Sequence, residues 1–183
     1  MAIIKQQNNW NDYIDYGKQS GEYLCQSLFF DRSFILDSIT LRFDSTNVDV
    51  VNDIKFRAEV RPSSGSANQL DLTDTIADYS SWYNDENIPP TEFTFPLNGL
   101  SFPAGYYYFA LVSNLRVPKI MRVAFQKGGS FFGKFIHIKN STGIYRSDYG
   151  LMIKINGTWN EIPPKLQTLD INTYVITTIQ DES

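Results

Sequence analysis

The sequence predicts an all-β protein, an antiparallel two-sheet β-sandwich of jelly-roll type, and three observations carry that expectation. Apolar and aromatic runs of strand length recur along the chain between Gly, Pro and Asn-Gly turn signals. Two of these runs, Phe34 to Phe43 and Ile54 to Arg61, alternate apolar and polar residues with a period of two. No stretch carries helical periodicity for more than a turn or two, and no internal repeat or linker divides the chain.

In chain order, residues 1–20 are polar with scattered aromatics, Trp10, Tyr13 and Tyr16, a composition suited to an N-terminal arm resting on a partner surface. Residues 21–183 then form a single sandwich domain. Glu22 to Phe30 is the first strand of that domain, followed by Phe34 to Phe43 and Ile54 to Arg61, each expected to keep one face in water. Residues 61–69 are a loop by composition, and the polar, acidic stretch 70–90 is a long connection with Trp82-Tyr83 at its centre. Phe93 to Val112 reads as strand, turn-rich corner, strand, a hairpin bounded by Pro96, Asn98-Gly99 and Pro103-Ala104-Gly105. Tyr106 to Val112 is too continuously apolar for a half-wet strand and belongs at the centre of a sheet. Lys119 to Phe125 and Phe131 to Ile138 flank a glycine hairpin at Lys127 to Ser130. Leu151 to Ile155 and Thr158 to Ile162 flank Asn156-Gly157, whose residues both tolerate positive φ. Leu169 to Ile179 supplies the last strand, for about eight to ten in all.

The chain has 183 residues, 42% hydrophobic and 15% aromatic, enough for one unaided core. Its 20 acidic and 16 basic residues are interspersed, so no basic stripe offers itself to a phosphate backbone and no nucleic-acid partner is expected. Cys25 is the only cysteine, which leaves no internal disulfide and reads as a small core hydrophobe. No apolar run reaches signal-peptide or membrane-spanning length, so folding in the cytoplasm and no membrane insertion are the expectations. The sequons at Asn140 and Asn156 then read as turn chemistry.

Gly128-Gly129-Ser130-Phe131-Phe132-Gly133-Lys134 fits the first seven positions of a phosphate-binding P-loop, but Phe135 stands where a magnesium-binding Ser or Thr is needed. A strand pattern follows it instead of a helix whose N-terminus could hold phosphate. His137 is the only histidine and has neither a nucleophile elbow nor a reactive cysteine beside it. One His and one Cys cannot fill a tetrahedral zinc site, and no EF-hand spacing appears, so no metal, cofactor or catalytic residue is assigned. The loop acids Asp44, Asp49, Asp53, Asp71, Asp74, Asp78, Asp85 and Glu86 read as solvated carboxylates rather than a glycosidase pair.

Aromatics are what remains. Trp82 and Tyr83 sit between Ser80-Ser81 and Asn84-Asp85-Glu86, where an exposed ring pair with directional neighbours would stack on sugars or on a protein partner. Alternatively, Trp82 folds back to cap the sandwich. Trp159 has a weaker claim as a ligand contact.

The succession Ile39-Thr40-Leu41-Arg42-Phe43, Ile54 to Val60, Phe93-Thr94-Phe95, Leu100 and Ala104-Gly105-Tyr106-Tyr107-Tyr108-Phe109-Ala110-Leu111 resembles the carbohydrate-binding-module-like jelly rolls of bacteriophage virion proteins. The resemblance covers roughly 29–112 and transfers no ligand residue. It implies a non-enzymatic structural protein of a tail, baseplate or capsid surface, assembled in the host cytoplasm and working through contacts with other virion proteins and with copies of itself. The alternative it implies is an adhesin module that recognises host-surface glycans, with Trp82, Tyr83, Asn84, Asp85 and Trp159 as contacts. In either case Trp10, Tyr13 and Tyr16 belong to the partner-binding arm.

Overall fold

A computed structural model describes residues 2–16, 23–44, 55–62, 76–84, 91–113, 121–128, 135–139, 142–146 and 149–160. All regular elements among them are strands: β1 (Ala2–Gln7), β2 (Asp12–Tyr16), β3 (Tyr23–Phe30), β4 (Phe34–Asp44), β5 (Lys55–Pro62), β6 (Asp78–Tyr79), β7 (Tyr83–Asn84), β8 (Glu92–Phe102), β9 (Gly105–Ser113), β10 (Met121–Lys127), β11 (Phe135–Lys139), β12 (Thr142–Arg146), β13 (Tyr149–Leu151) and β14 (Ile153–Trp159). They form two antiparallel sheets, the first in the order β1-β14-β4-β10-β13 with β8 on β4 and β2 on β10. The second runs β12-β11-β3-β9-β5-β6, with β7 also on β5. The sheets pack face to face as an all-β sandwich. β9 lies between β3 and β5, and Tyr107 to Ser113 are all buried, the central position its continuous apolar run called for.

Sequence neighbours in this fold are seldom partners in a sheet. β8 pairs with β4 in the first sheet, whereas β9 pairs with β3 and β5 in the second, so the expected hairpin is an arch between sheets. Nor do Pro96 and Asn98-Gly99 break β8, which runs through them to Phe102; the cost is an irregular register opposite Leu36 to Ser38. β10 and β11, expected as the arms of a glycine hairpin, likewise belong to opposite sheets. Asn156-Gly157 is not a turn at all. It lies inside β14 opposite a bulge of β4: Asn156 pairs with Ser38 and Gly157 with Leu36, leaving Asp37 as the extra residue. A Cβ on Gly157 would lie 2.0 Å from the Ile35 carbonyl oxygen, so glycine is there for close backbone approach. The expected strand at 169–179 lies outside the described residues, as does most of the 70–90 connection. Residues 2–16, read as an arm, are strands of the first sheet itself, β1 on β14 and β2 on β10.

Three aromatic groups knit the sheets together. Phe30, Tyr107 and Phe109 of the second sheet meet Phe34, Phe102 and Trp159 of the first, with Phe30 stacked on Phe34 at 4.0 Å between centroids. Tyr83 of the second sheet sits edge-on to Phe93 and Phe95 of the first, and Phe135 of the second packs against Phe125 and Tyr149 of the first, which touch each other. Offset and edge-to-face pairs of this kind add about 0.5–1.5 kcal/mol each beyond their buried area. Two buried polar groups tie the layers as well. The Gln26 amide oxygen accepts from the Leu151 backbone N–H at 3.1 Å, and the Asp78 carboxylate accepts from both the side chain and the backbone N–H of Asn98. Asp78 is therefore buried between sheets, not a solvated loop acid.

Much of the polar rows of β4 and β5 is buried as well. Ser38 and Thr40 are covered because β8 and β14 flank them: Thr40 bonds Thr94 at 2.8 Å, and the Asn156 amide donates to both Ser38 and Thr40. Glu59 and Arg61 of β5 are buried too. At the outer margin of the first sheet, Lys5 turns inward, its ammonium 5.0 Å from the Phe30 ring centre and donating to the Phe29 carbonyl. Burial lowers its pKa, with Asp31 opposing part of the shift.

Two consequences can be measured. Gly157→Ala forces Ile35 and β14 apart and is expected to cost about 1–3 kcal/mol in urea unfolding; an unchanged midpoint would contradict the close approach. Tyr107, whose hydroxyl donates to the Pro103 carbonyl at 2.8 Å, holds its proton above the ordinary tyrosine value of 10.0 because of burial. Above that value the folded chain binds more protons at this site than the unfolded chain, so stability falls as pH rises. Tyr107→Phe should lose about 1 kcal/mol at neutral pH and show a shallower alkaline decline; parallel pH profiles would sink this reading.

Candidate interaction surface

The outer face of the second sheet carries a ladder of charge and aromatic rings. Alternation along β5 sends Phe56, Ala58 and Val60 into the core and Arg57, Glu59 and Arg61 outward, and Ala110 of β9, opposite Glu59, is small enough to leave the carboxylate room. Glu59 accepts from Arg57 Nε at 2.8 Å on one oxygen and from Arg61 at 3.1 and 2.8 Å on the other. Two guanidiniums thus share one carboxylate, whose side chain is only 1% exposed. Arg61 reaches toward Tyr23, 5.9 Å away.

Arg57 does more than pair with Glu59. Its guanidinium carbon lies 4.5 Å from the ring centre of Trp82 and 5.0 Å from that of Tyr79, which faces Glu59 across the β5/β6 pairing. Both rings remain exposed, Trp82 by 39% and Tyr79 by 53%. The cation holds two large rings in place on the surface, an arrangement that offers rigid apolar area with little side-chain entropy left to lose.

Trp82 is the one residue of the expected loop constellation whose ring the structure places on that surface. Tyr83 follows it on β7 and, by the period of two, turns inward onto Phe93 and Phe95. Asn84 pairs with Lys55 through its backbone, and Asp85 lies outside the described residues. Trp159 ends β14 against Phe30 and Phe34, with the Arg32 guanidinium 5.1 Å from its ring, at the far end of the sandwich from Tyr83's group. Neither Tyr79 nor Arg57 stands out in the sequence, where Arg57 is one polar member of the alternating run Ile54 to Arg61.

A second aromatic and arginine group lies on the first sheet. Trp10, 40% exposed, stands 4.7 Å from the Arg42 guanidinium and 5.2 Å from Tyr13. Tyr13 in turn lies 5.0 Å from Arg122, which pairs with Asp44 at 2.8 Å. Trp10 and Tyr13 thus rest on arginines of their own sheet. Tyr16 pairs with Met121 by backbone. Beside Trp10 an open cleft of about 480 Å³ is lined by Asn8, Asn9, Asn11 and Gln126 as well as the indole.

His137 pairs with Leu24 and Ile144 within its sheet, and the segment after Gly128 leads into strand β11, not a helix. Cys25 is fully buried and burial pushes its thiol pKa far up, so it is no ready nucleophile. Among the described residues no group of three or more His, Cys, Asp or Glu side chains gathers as a metal site. Comparison of the chain with protein-family models, with curated proteins and with solved structures found no match.

Glu59→Gln keeps the volume and removes the anion shared by two guanidiniums. Breaking a buried ion pair from one side costs about 3–5 kcal/mol, and urea unfolding should show a loss of that size with altered tryptophan fluorescence as Arg57 is released. Stability close to that of the parent protein would mean the ladder is not coupled to folding.

Proposed function

We propose that this protein is a non-enzymatic structural component of a bacteriophage virion, from the tail, baseplate or capsid surface, acting through protein–protein contacts. The observation that carries the contact role is the Trp82–Arg57–Tyr79 group: Trp, Tyr and Arg are the residue types that dominate binding hot spots, and here both rings are exposed while the arginine that holds them is tied to Glu59. The virion setting rests on the sequence resemblance of the β4, β5, β8 and β9 segments to phage jelly rolls.

In such a setting the chain assembles with neighbouring virion proteins and with itself. Light scattering should return a mass above that of one 21.0 kDa chain, and Trp82→Ala or Tyr79→Ala should lower that mass while circular dichroism stays that of the parent. A monomer at all concentrations, with no binding to virion partners, would overturn the proposal.

A second reading, an adhesin module for host-surface glycans, is favoured by the amide-lined cleft at Trp10. Amide groups beside an exposed indole are suited to uncharged, hydroxyl-rich ligands.

A further inference from the structure

The cleft between β1 and β2 is built, not incidental. β1 is anchored on β14 and β2 on β10, so the short connection 8–11 is held at both ends. Asn11 fixes it further: its amide donates to the Lys127 carbonyl at 3.1 Å and its amide oxygen accepts from the Lys127 N–H at 2.9 Å, while its own N–H donates to the Phe125 carbonyl. This side chain imitates a strand partner for β10 and stitches one wall of the cleft to the other. Trp10 is oriented by Arg42 and Tyr13, leaving 40% of the residue exposed.

We infer that this cleft is a binding site for a neutral saccharide, with Trp10 as the stacking surface and the amides of Asn8, Asn9 and Gln126 as the hydroxyl-reading groups. An indole offers its electron-rich face to the C–H face of a pyranose, and a carboxamide presents a donor and an acceptor side by side, the spacing of two adjacent hydroxyls. The five lining residues include no formal charge and present only amides and an indole, the Arg42 guanidinium lying 4.7 Å from the Trp10 ring rather than in the lining. The volume of about 480 Å³ is in the range of small-ligand sites, enough for one or two sugar rings. This rests on the second reading above, and it moves the sugar contacts from the β6–β7 region to the opposite sheet.

The test is titration of the full chain with glucose, galactose, mannose and N-acetylglucosamine oligosaccharides at millimolar concentration, by saturation-transfer NMR and calorimetry. At least one should bind, and Trp10→Ala should weaken it about tenfold or more, the usual size of a lost stacking contact. Should Trp10→Ala fail to fold, the exposed Asn9→Ala and the β10 variant Gln126→Ala decide, each expected to weaken binding severalfold with unfolding midpoints unchanged. Saccharide binding that survives Asn9→Ala and Gln126→Ala, or is lost in Trp82→Ala instead, would overturn the site while leaving the adhesin reading standing. No binding of any probe by the parent protein would overturn both.

Discussion

The structure depends on one corner. At Phe102-Pro103-Ala104-Gly105 the chain leaves β8 in the first sheet and enters β9 in the second, and the Tyr107 hydroxyl bonds back to Pro103 to fix the bend. Gly105, with φ of 156°, takes an extended turn on the far side that a side chain would resist. Because Phe102 and Tyr107 both point into the gap, the corner also sets the spacing at which Phe30, Phe34 and Trp159 can pack. Sheet separation, aromatic packing and the path of the chain are thus a single constraint.

The same constraint explains what the sequence made legible. Strand identity was plain in β3, β4, β5, β8 and β9, where apolar periodicity and aromatic content agree, and the central place of β9 followed from a run with no polar face. Partnership was not. A glycine or Asn-Gly turn marks where a chain changes direction, but the same residues serve a hairpin within a sheet, an arch between sheets or a close approach opposite a bulge, and here Gly105 and Gly157 serve the latter two. Only the packing of distant segments chooses between them. Polar residues mislead in the same way: Glu59 and Thr40 alternate like surface residues, yet both are buried, Glu59 between two arginines of its own strand and Thr40 against Thr94 and Asn156 of the flanking strands.

The candidate surface was half visible. Trp82 could be singled out because an indole in polar company asks for an explanation, while its place beside Arg57 depends on β5 and β7 being neighbours, a pairing of segments distant in sequence. Period-two alternation divides Trp82 from Tyr83, a fact available only once that segment is known to be strand. The two arginine and aromatic groups share a logic: in each, a guanidinium tied to a carboxylate carries a ring, so that electrostatics fixed inside the sheet determine the order of apolar area outside it.

Lys5 has a consequence for what β1 can do as a sheet edge. β1 is the outermost strand of its sheet among the described residues, and a strand in that position is a template on which another chain can add hydrogen bonds without limit. An ammonium turned toward the sandwich interior, together with the irregular register between Ile3 and Lys5, makes a flat continuation past β1 costly. Open-ended growth by strand addition is discouraged on that side, so the backbone of β1 is a poor template although its hydrogen-bonding groups face outward.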